Sequence, residues 1–379
     1  MFRIFCANRV AGVPWPPAYG ITEDMAKADA VLVRSARLED VPEGVLAVAR
    51  AGAGVNHIPV QRLGEQGVVV MNTPGANASS VAELAVCAVL MGARRVAEGI
   101  EWARELEGDI PAEVERGKSR FIGMELGGKT LGIIGMGAVG SRLAELAFRL
   151  DMRVLAYDPL LPPDRRAGLP GKFVEELAPL LSRSDFVSLH VPLTPLTKGM
   201  IGQGELAAMK QGGILVNLAR GELVEDGALA QALASGRPGR YITDFPNERT
   251  VRMPGVLAIP HLGASTREAE ENCARMAAAQ LREYLENGGI QNSVNFPDCP
   301  AGPWRGEGRL AVLHKNIPST ISRLGGVLAE ENIANLVNRS RGDLAYTLID
   351  TDRPVPLQTA ARLGAVEGVF RVRVLAQSI

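Results

Sequence analysis

The amino-acid sequence predicts an α/β fold, with two doubly wound, Rossmann-like parallel-sheet domains and a small βαββαβ module after them. Three observations predict this fold. Short apolar runs alternate with helix-length segments from residue 1 to about residue 290, which is typical of buried parallel strands. A glycine-rich turn follows one of these runs, as in many doubly wound sheets. A cluster of proline and glycine near residue 300 then precedes a shorter region with its own pattern of strands and helices.

Six apolar runs are the clearest candidate strands of the parallel sheets. Each is four or five residues long, and helical segments separate them. The candidate strands span residues 30–34, 68–71, 130–134, 153–157, 186–189 and 213–217. A helix is expected over residues 266–286, where apolar side chains recur at helical spacing until Gly288 and Gly289 end the pattern.

The C-terminal region begins after a linker at residues 297–308, where proline and glycine cluster without periodicity. Beyond the linker, the expected order is strand, helix, strand, strand, helix, strand, which is the pattern of a small ferredoxin-like module. The expected elements are strand 309–313, helix 319–331, strands 335–339 and 345–350, helix 357–363 and strand 369–375.

Composition limits the classes of partner. A chain of 379 residues is too long for one core, so two or three domains are expected. A net charge of −1 gives no electrostatic reason to expect nucleic acid or an anionic membrane as a partner. Four scattered cysteines without a CxxC pair predict neither a disulfide framework nor a metal site, and they fit a reducing cytoplasm.

The glycine-rich turn has the spacing of a dinucleotide site. Residues 135–140 read GMGAVG, follow a candidate strand and open a helix, and Asp158 follows the next strand. In this context Gly135 allows the tight turn, Gly137 lets the backbone approach a pyrophosphate, and Gly140 allows close packing of helix and strand. Asp158 would accept hydrogen bonds from the ribose hydroxyls and repel a 2′-phosphate, which favours NAD over NADP. The alternative is a packing turn beside a solvated aspartate.

Three chemically useful side chains follow successive strand ends: one follows the candidate strand 213–217, and the other two follow two further apolar runs, near residues 241 and 259. Arg220, Glu248 and His261 supply a cation, a carboxylate and an imidazole. Oxidation of a hydroxy acid by NAD requires a base for the hydroxyl proton, a carboxylate that stabilises the protonated base, and a cation for the acid group. Each residue alone would be interpreted as a surface loop residue, but three at one sheet edge favour a dehydrogenase.

Together with their surroundings, these residues resemble the D-isomer-specific 2-hydroxyacid dehydrogenases over nearly the whole chain. The most specific matches are RAGAGV at 50–55, NTPGAN at 72–77, VAEL at 81–84, HVPLT at 190–194, NLARG at 217–221 and PHLGAST at 260–266. Within the family, the resemblance is strongest to members that oxidise 3-phosphoglycerate at the start of L-serine synthesis. It implies a discontinuous substrate-binding domain (1–94 and 266–296), an NAD-binding domain (95–265) and a regulatory ACT domain (309–379).

The resemblance also implies roles for individual residues. Arg220, Glu248 and His261 match the catalytic positions, and Asp244 matches a contact to the nicotinamide carboxamide. The expected cofactor-binding residues are Gly135, Gly137, Ala138, Val139, Gly140, Asp158, His190, Pro192, Ala219, Asp244 and Gly263. The expected substrate-binding residues are Arg34, Ser35, Ala53, Gly54 and Asn77. A homodimer or homotetramer is also expected.

The sequence departs from the family pattern at two places. The segment that begins at Asp244 is one residue shorter than usual before Glu248 and lacks a final proline, which weakens the assignment of Asp244. In the C-terminal module, Ser319 replaces a common glycine, and the loop near residue 331 is short. The expected effector residues for L-serine are His314, Asn316 and Asn332, with Asn335 as the alternative to Asn332.

The sequence therefore predicts NAD-dependent oxidation of 3-phospho-D-glycerate. The first alternative is another D-2-hydroxyacid dehydrogenase, acting on glyoxylate, hydroxypyruvate or lactate; a basic Arg34 and an appended ACT domain disfavour it. The second alternative is an NAD-sensing interaction protein, and the third is an amino-acid sensor. Retention of three candidate catalytic residues disfavours the second alternative, and the place of the ACT domain as a short appendage to a complete dehydrogenase disfavours the third.

Overall fold

The computed structural model describes residues 1–8, 13 and 15–375, and this part of the chain divides into two compact units. The first unit contains residues 1–76 and 270–379, and the second contains residues 77–269. The strands are β1 (Phe2–Cys6), β2 (Tyr19–Thr22), β3 (Ala30–Val33), β4 (Ala47–Arg50), β5 (Val69–Met71), β6 (Thr130–Ile134), β7 (Arg153–Tyr157), β8 (Lys172–Phe173), β9 (Phe186–Leu189), β10 (Ile214–Asn217), β11 (Arg240–Thr243), β12 (Val256–Ala258), β13 (Gly308–Lys315), β14 (Ile333–Arg341), β15 (Leu344–Thr351) and β16 (Val369–Leu375).

The helices complete the alternating pattern. They are α1 (Val60–Glu65), α2 (Ala78–Arg94), α3 (Val96–Arg104), α4 (Ile110–Gly117), α5 (Ala138–Arg149), α6 (Pro163–Arg166), α7 (Leu177–Arg183), α8 (Gln203–Ala208), α9 (Asp226–Ala234), α10 (Arg267–Asn287), α11 (Thr320–Val327) and α12 (Leu357–Gly364). No helix among the described residues is long and apolar enough to cross a membrane.

The first unit is built on a five-stranded parallel sheet with the order β2-β1-β3-β4-β5. Strand order reverses between β1 and β3, and ligands of open α/β sheets bind at such a switch point. The central strands β3 and β4 are almost wholly buried because their residues are apolar on both faces. The loops that follow β1 and β3 are therefore the expected ligand loops of this unit.

The second unit is built on a seven-stranded parallel sheet with the order β12-β11-β10-β9-β6-β7-β8. Strand order reverses between β6 and β9, so the loops after these two strands meet at the switch point. Separate apolar clusters cover the two faces of the sheet. Beyond β9, the neighbours β10, β11 and β12 end at the same edge of the sheet.

The C-terminal βαββαβ region forms an antiparallel sheet with the order β14-β15-β13-β16. The pattern predicted from the sequence, with two parallel sheets and this smaller module, is confirmed. Alternate residues of β13 face opposite cores: Leu310 and Val312 pack with the helices α11 and α12, whereas Ala311 and Leu313 join the core that contains α10. The module therefore belongs to the first unit and shares one core with its N-terminal sheet and α10.

The structure differs from the sequence-based expectation in the position of one boundary and in the burial of the linker. Helix α2 lies in the second unit rather than with residues 1–76, because its small residues pack on α5 and β10. The linker at 297–308 has little regular structure, but Cys299 and Ala301 are buried in the core of the first unit. Proline and glycine indicate where helices and strands stop, but they do not indicate exposure.

Candidate active site

The glycine-rich turn of the second unit forms a cradle at the switch point of its sheet. Gly135 has a φ of +94°, and a Cβ there would lie 2.9 Å from the carbonyl of His190. A Cβ on Gly140 would lie 2.0 Å from the Gly135 carbonyl oxygen, so both positions require glycine. Gly137 faces open space, and no side chain caps the twelve-residue helix α5 that starts at Ala138. Its free N–H groups fit the pyrophosphate of a dinucleotide.

Asp158 lies beside this cradle, directly after β7. Its carboxylate accepts hydrogen bonds from the Met136 N–H at 2.9 Å and the Leu160 N–H at 3.2 Å. These bonds fix the carboxylate against the glycine-rich turn while the side chain stays partly accessible. The carboxylate retains acceptor sites for ribose hydroxyls. The residues present therefore fit the adenosine half of NAD.

His190 is held at the other side of the switch point, after β9. Its backbone N–H donates to the Ile134 carbonyl, and its side-chain Nε2 lies 2.9 Å from the Ser188 hydroxyl. Desolvation lowers the pKa of His190 from 6.5 to about 4. The imidazole is consequently neutral at physiological pH.

Three loops that follow β10, β11 and β12 bring together a cation, an aromatic ring and an imidazole. The Arg220 guanidinium lies 5.4 Å from the centre of the Phe245 ring, and that ring lies 4.5 Å from the His261 imidazole. Both distances are within the range of favourable cation–π and aromatic contacts. Arg220 and His261 were predicted from the sequence, whereas Phe245 was not singled out; its place between the arginine and histidine motifs was the available signal.

Asn217 orders the loop that carries Arg220. This residue is fully buried, and its amide donates to the Arg220 carbonyl and to the Tyr241 hydroxyl. Its Oδ1 accepts from the Ala219 N–H, while the Arg220 guanidinium donates to the Ala219 carbonyl at 2.6 Å. Asn217 is the first residue of the motif at 217–221, and the motif alone does not indicate a role for it. Its role is to hold the short loop in which the functional arginine lies.

In the second unit, all of whose residues are described, Glu248 and His261 are not paired by a hydrogen bond or an ion pair, and Glu248 is exposed. The turn around Glu248 is ordered by Asn247, whose Oδ1 accepts from the N–H groups of Arg249 and Thr250. The acid–histidine pair expected from the sequence therefore differs from the arrangement observed.

A cavity of about 1050 Å³ opens beside His261. Its lining combines Phe245 and His261 with charged residues from the segments that follow β9, β10 and β11. The lining residues include Lys198, Glu222, Glu225, Asp226, Asp244, Phe245, Asn247, Arg249, Pro260 and His261. The second unit therefore has room for a ligand next to the imidazole.

The remaining cofactor residues expected from the sequence follow the same edge of the second unit. Ala138 and Val139 open α5, Pro192 lies after β9, and Gly263 lies after β12. The Pro192 carbonyl accepts a hydrogen bond from the Thr197 hydroxyl at 2.6 Å. These positions follow β6, β9 and β12, three strands of the same sheet.

In the first unit, Arg34 and Ser35 lie directly after β3, at the switch point. The Asn8 Oδ1 accepts hydrogen bonds from the N–H groups of Arg34, Ser35 and Ala36 and so fixes the loop. The Arg34 guanidinium pairs with Glu270 at 2.6 Å. Asn8 was not predicted from the sequence, because the residues next to it in the chain do not indicate a contact with residues 26 to 28 positions later.

The loop after β4 contains Ala53 and Gly54, two further expected substrate residues. The Asn72 amide donates to the Ala53 carbonyl at 2.6 Å, and the Thr73 hydroxyl accepts from the Gly52 N–H at 2.6 Å. These bonds join the loops that follow β4 and β5. Asn77, the fifth expected substrate residue, is the first residue of the second unit and precedes α2.

The expected effector residues are separated within the C-terminal module. His314 is buried, with its Nδ1 at 2.8 Å from the Lys315 carbonyl and its Nε2 at 2.8 Å from the Thr347 hydroxyl. Asn316 donates to the Gly342 carbonyl, whereas Asn332 pairs with Asp352. Strand pairing places Asn316 and Asn332 at opposite ends of the sheet.

Comparison with known proteins identifies the architecture and its cofactor. Residues 86–263 match the family model described as the D-isomer specific 2-hydroxyacid dehydrogenase, NAD binding domain. A solved 3-phosphoglycerate dehydrogenase from Entamoeba histolytica, with NAD+ bound, superposes with a TM-score of 0.61 and 28% identity, covering 78% of this chain and 98% of that one. The prediction of an NAD site is confirmed.

Curated relatives match over most of the chain. The D-3-phosphoglycerate dehydrogenases of Escherichia coli K12 and Haemophilus influenzae are 35% and 34% identical, covering 88% and 89% of this chain and 82% and 83% of the relatives. The enzyme of the same name from Methanocaldococcus jannaschii is 35% identical over 74% of this chain, and the alignment spans only 54% of that relative's length. The chain belongs to the family of D-isomer specific 2-hydroxyacid dehydrogenases.

Proposed function

We propose that this chain oxidises 3-phospho-D-glycerate to 3-phosphohydroxypyruvate with NAD, the first step of L-serine biosynthesis. The observation that carries the proposal is the contact series Arg220, Phe245 and His261 beside a dinucleotide cradle in the second unit. The names of the curated relatives support the choice of substrate.

His261 is the general base of the proposed reaction. Its imidazole takes the proton of the substrate C2 hydroxyl, the C2–H bond breaks, and a carbonyl forms at C2. NAD, when bound, accepts the hydride that leaves C2. Arg220 holds the substrate carboxylate, because a guanidinium matches a carboxylate in charge and geometry. The Phe245 ring keeps these two side chains at fixed separations.

Glu248 is the proposed carboxylate that stabilises the protonated His261. It lies in the loop that begins with Phe245, whose ring contacts the imidazole. Asp158 and the cradle of Gly135, Gly137 and Gly140 hold the cofactor. His190, which is neutral, provides an uncharged surface at the switch point beside this cradle.

Arg34 is the proposed partner of the substrate phosphate, together with Ser35. Its side chain is 37% exposed, which leaves the guanidinium accessible to an anion. The Asn8 Oδ1 accepts from the backbone N–H groups of the same loop and orients them. Ala53, Gly54 and Asn77 complete the proposed set of substrate residues.

We also propose that residues 309–379 form an ACT domain that binds L-serine, that the chain assembles as a homodimer or homotetramer, and that it functions in the cytoplasm. The βαββαβ order and the His314–Asn316 segment support the regulatory role. Since Asn316 and Asn332 lie at opposite ends of one sheet, a site that uses both requires two copies of the chain.

The substrate assignment is tested by a comparison of phosphorylated and unphosphorylated acids. NADH formation is followed with 3-phospho-D-glycerate, D-glycerate and D-lactate, with the ketone trapped, for the native protein and for Arg34→Ala. We expect a preference for the phosphorylated acid that Arg34→Ala reduces by at least tenfold. Equal or faster oxidation of D-glycerate or D-lactate would instead assign the chain to another D-2-hydroxyacid dehydrogenase.

A further inference from the structure

The backbone of His261 has an unusual conformation. Its φ is +54°, in the left-handed region that side chains other than glycine seldom adopt. Such a conformation persists only where the surrounding structure fixes it. The residues that contact this backbone segment therefore determine the direction of the imidazole.

Asp244 supplies two of these contacts. Its carboxylate oxygens accept hydrogen bonds from the N–H groups of Leu262 and Gly263, both at 2.7 Å. Successive N–H groups around a left-handed residue form a concave anion site, which the carboxylate fills here. A Cβ on Gly263 would lie 3.1 Å from the Asp244 carboxylate, so glycine allows this close approach.

Asp244 is itself rigidly held. It is 1% exposed, and its N–H donates to the Asn217 carbonyl at the end of β10. The Ser80 hydroxyl of α2 donates to the Gly263 carbonyl at 2.7 Å and holds the other side of the same loop. Asp244 therefore links the end of β10 through its backbone N–H and the loop after β12 through its carboxylate.

The next residue, Phe245, contacts the imidazole of His261. Asp244 fixes the backbone after His261, and Phe245 limits the position of its ring. Two consecutive residues thus control both the conformation and the direction of the imidazole. Both oxygens of Asp244 are engaged by this loop, which is a different role from the nicotinamide contact expected from the sequence.

We propose that Asp244 is a positioning residue that holds His261 in its catalytic orientation by filling the anion site formed by the Leu262 and Gly263 N–H groups. The proposal rests on the proposed function of His261 as the base. In the oxidation reaction, Asp244 does not contact the reacting atoms; it acts only by holding the loop after β12 in place.

The test replaces Asp244 by asparagine, because the amide keeps the shape but turns an NH₂ group toward one of the two backbone N–H donors. Asp185→Asn is the matched control: Asp185 accepts from the Thr130 N–H at 2.8 Å and pairs with Lys210, at the opposite edge of the same sheet. We expect kcat to fall by about 10- to 100-fold in Asp244→Asn. The KM for NAD and the affinity for NADH stay unchanged, and Asp185→Asn retains kcat.

A second readout does not depend on turnover. The chain has four histidines, so the Cε1–H signals of its imidazoles can be assigned in NMR spectra of the full-length protein. We expect Asp244→Asn to shift or broaden the His261 signal and Asp185→Asn to leave it unchanged. An unchanged His261 signal, an equal loss of kcat in both variants, or weaker NADH binding with normal kcat would overturn the proposal. A native protein that oxidises no hydroxy acid would refute the proposed function, while the NMR comparison would still decide whether Asp244 orients the imidazole.

Discussion

Arg34 and Glu270 form an ion pair, with 2.6 Å between guanidinium nitrogen and carboxylate oxygen, at the loop where the substrate phosphate is proposed to bind. Both side chains are more than one third exposed, so the pair contributes little stability. The Glu270 carboxylate competes with a substrate phosphate for Arg34, because it already pairs with one nitrogen of the guanidinium.

We predict that Glu270→Gln lowers the KM for 3-phospho-D-glycerate by about two- to fivefold, the range expected for an exposed ion pair. The value of kcat should remain near that of the native protein, because the change does not reach His261. The measurement is steady-state NADH formation. Glu268→Gln, at an exposed position two residues earlier, is the control, and a KM that stays constant or rises in Glu270→Gln would contradict the prediction.

His190 links stability to pH. Because desolvation holds its pKa at about 4, below the ordinary 6.5, the unfolded chain binds a proton that the folded chain does not. This contribution to stability is present above pH 6.5 and is lost as the pH falls toward 4. The free energy of unfolding of the native protein should therefore fall by about 2 kcal/mol more than that of His190→Gln between about pH 7.5 and about pH 5.

Denaturant unfolding of both proteins at the two pH values provides the measurement. The difference between the proteins isolates His190, because the other titrating groups are common to both. Parallel loss of stability in the two proteins would show that the imidazole is not desolvated in the folded state.

At the level of single residues, the sequence could indicate chemistry but not contacts. Arg220, His261 and the glycines of the cradle were predictable because each lies in a motif tied to a strand end. Asn8 and Phe245 act through contacts with distant loops, which spacing along the chain does not show. The expected role of Asp244 came from a motif, but the hydrogen bonds of its carboxylate depend on the loop after β12.

At the level of elements, the C-terminal sheet is joined to α10 by buried polar contacts. Arg309 and Asp350 form an ion pair in which both side chains are at most 1% exposed, and Arg309 also donates to the Asn287 carbonyl at the end of α10. Arg373 donates to the carbonyls of Tyr284 and Leu285 in the last turn of that helix. The arginines thus supply donors to carbonyl groups near the end of the helix, where backbone partners run out; the Tyr284 carbonyl also accepts from the Gly288 N–H.

We predict that Arg309→Met lowers the free energy of unfolding by about 3–5 kcal/mol, because it leaves the Asp350 carboxylate buried without its cation. The matched control is Arg323→Met in the same module, where the ion pair with Glu367 is exposed and the loss should be below about 1 kcal/mol. Urea unfolding compares the two variants. Equal decreases in the free energy of unfolding would show that burial does not make the Arg309–Asp350 pair more important for stability than the exposed pair.

Most strands were predictable because buried parallel strands are continuous apolar runs. The candidate strands at 130–134, 153–157 and 186–189 match β6, β7 and β9. The embedding of the C-terminal module was not predictable, since the continuous apolar run of β13 indicates that both faces of the strand are covered but does not identify what covers them. The same limit applies to the buried residues of the linker.

At the level of the whole molecule, one apolar core in the first unit combines the N-terminal sheet, α10 and the C-terminal sheet. Trp15 packs against this core near the N-terminus, and Trp304 packs against it next to the C-terminal module. Because residues of one core unfold cooperatively, we expect the two tryptophans to report the same transition.

The prediction is tested with Trp102→Phe variants that retain either Trp15 or Trp304. Their fluorescence should give coincident midpoints in urea. A module that is only tethered would unfold separately, so a Trp304 transition at a lower urea concentration than the Trp15 transition would contradict a shared core.

In the proposed reaction, the C2 hydrogen of a 2-hydroxy acid moves to NAD with His261 as the base. This reaction is tested most directly with 3-phospho-D-glycerate deuterated at C2, with mass spectrometry of the reduced cofactor. We predict that the cofactor gains one deuterium for each NADH formed, and that His261→Ala lowers this rate by about three orders of magnitude while it still binds NADH. Reduced cofactor without deuterium would rule out direct hydride transfer from C2, and a His261→Ala variant with the native rate would rule out His261 as the base.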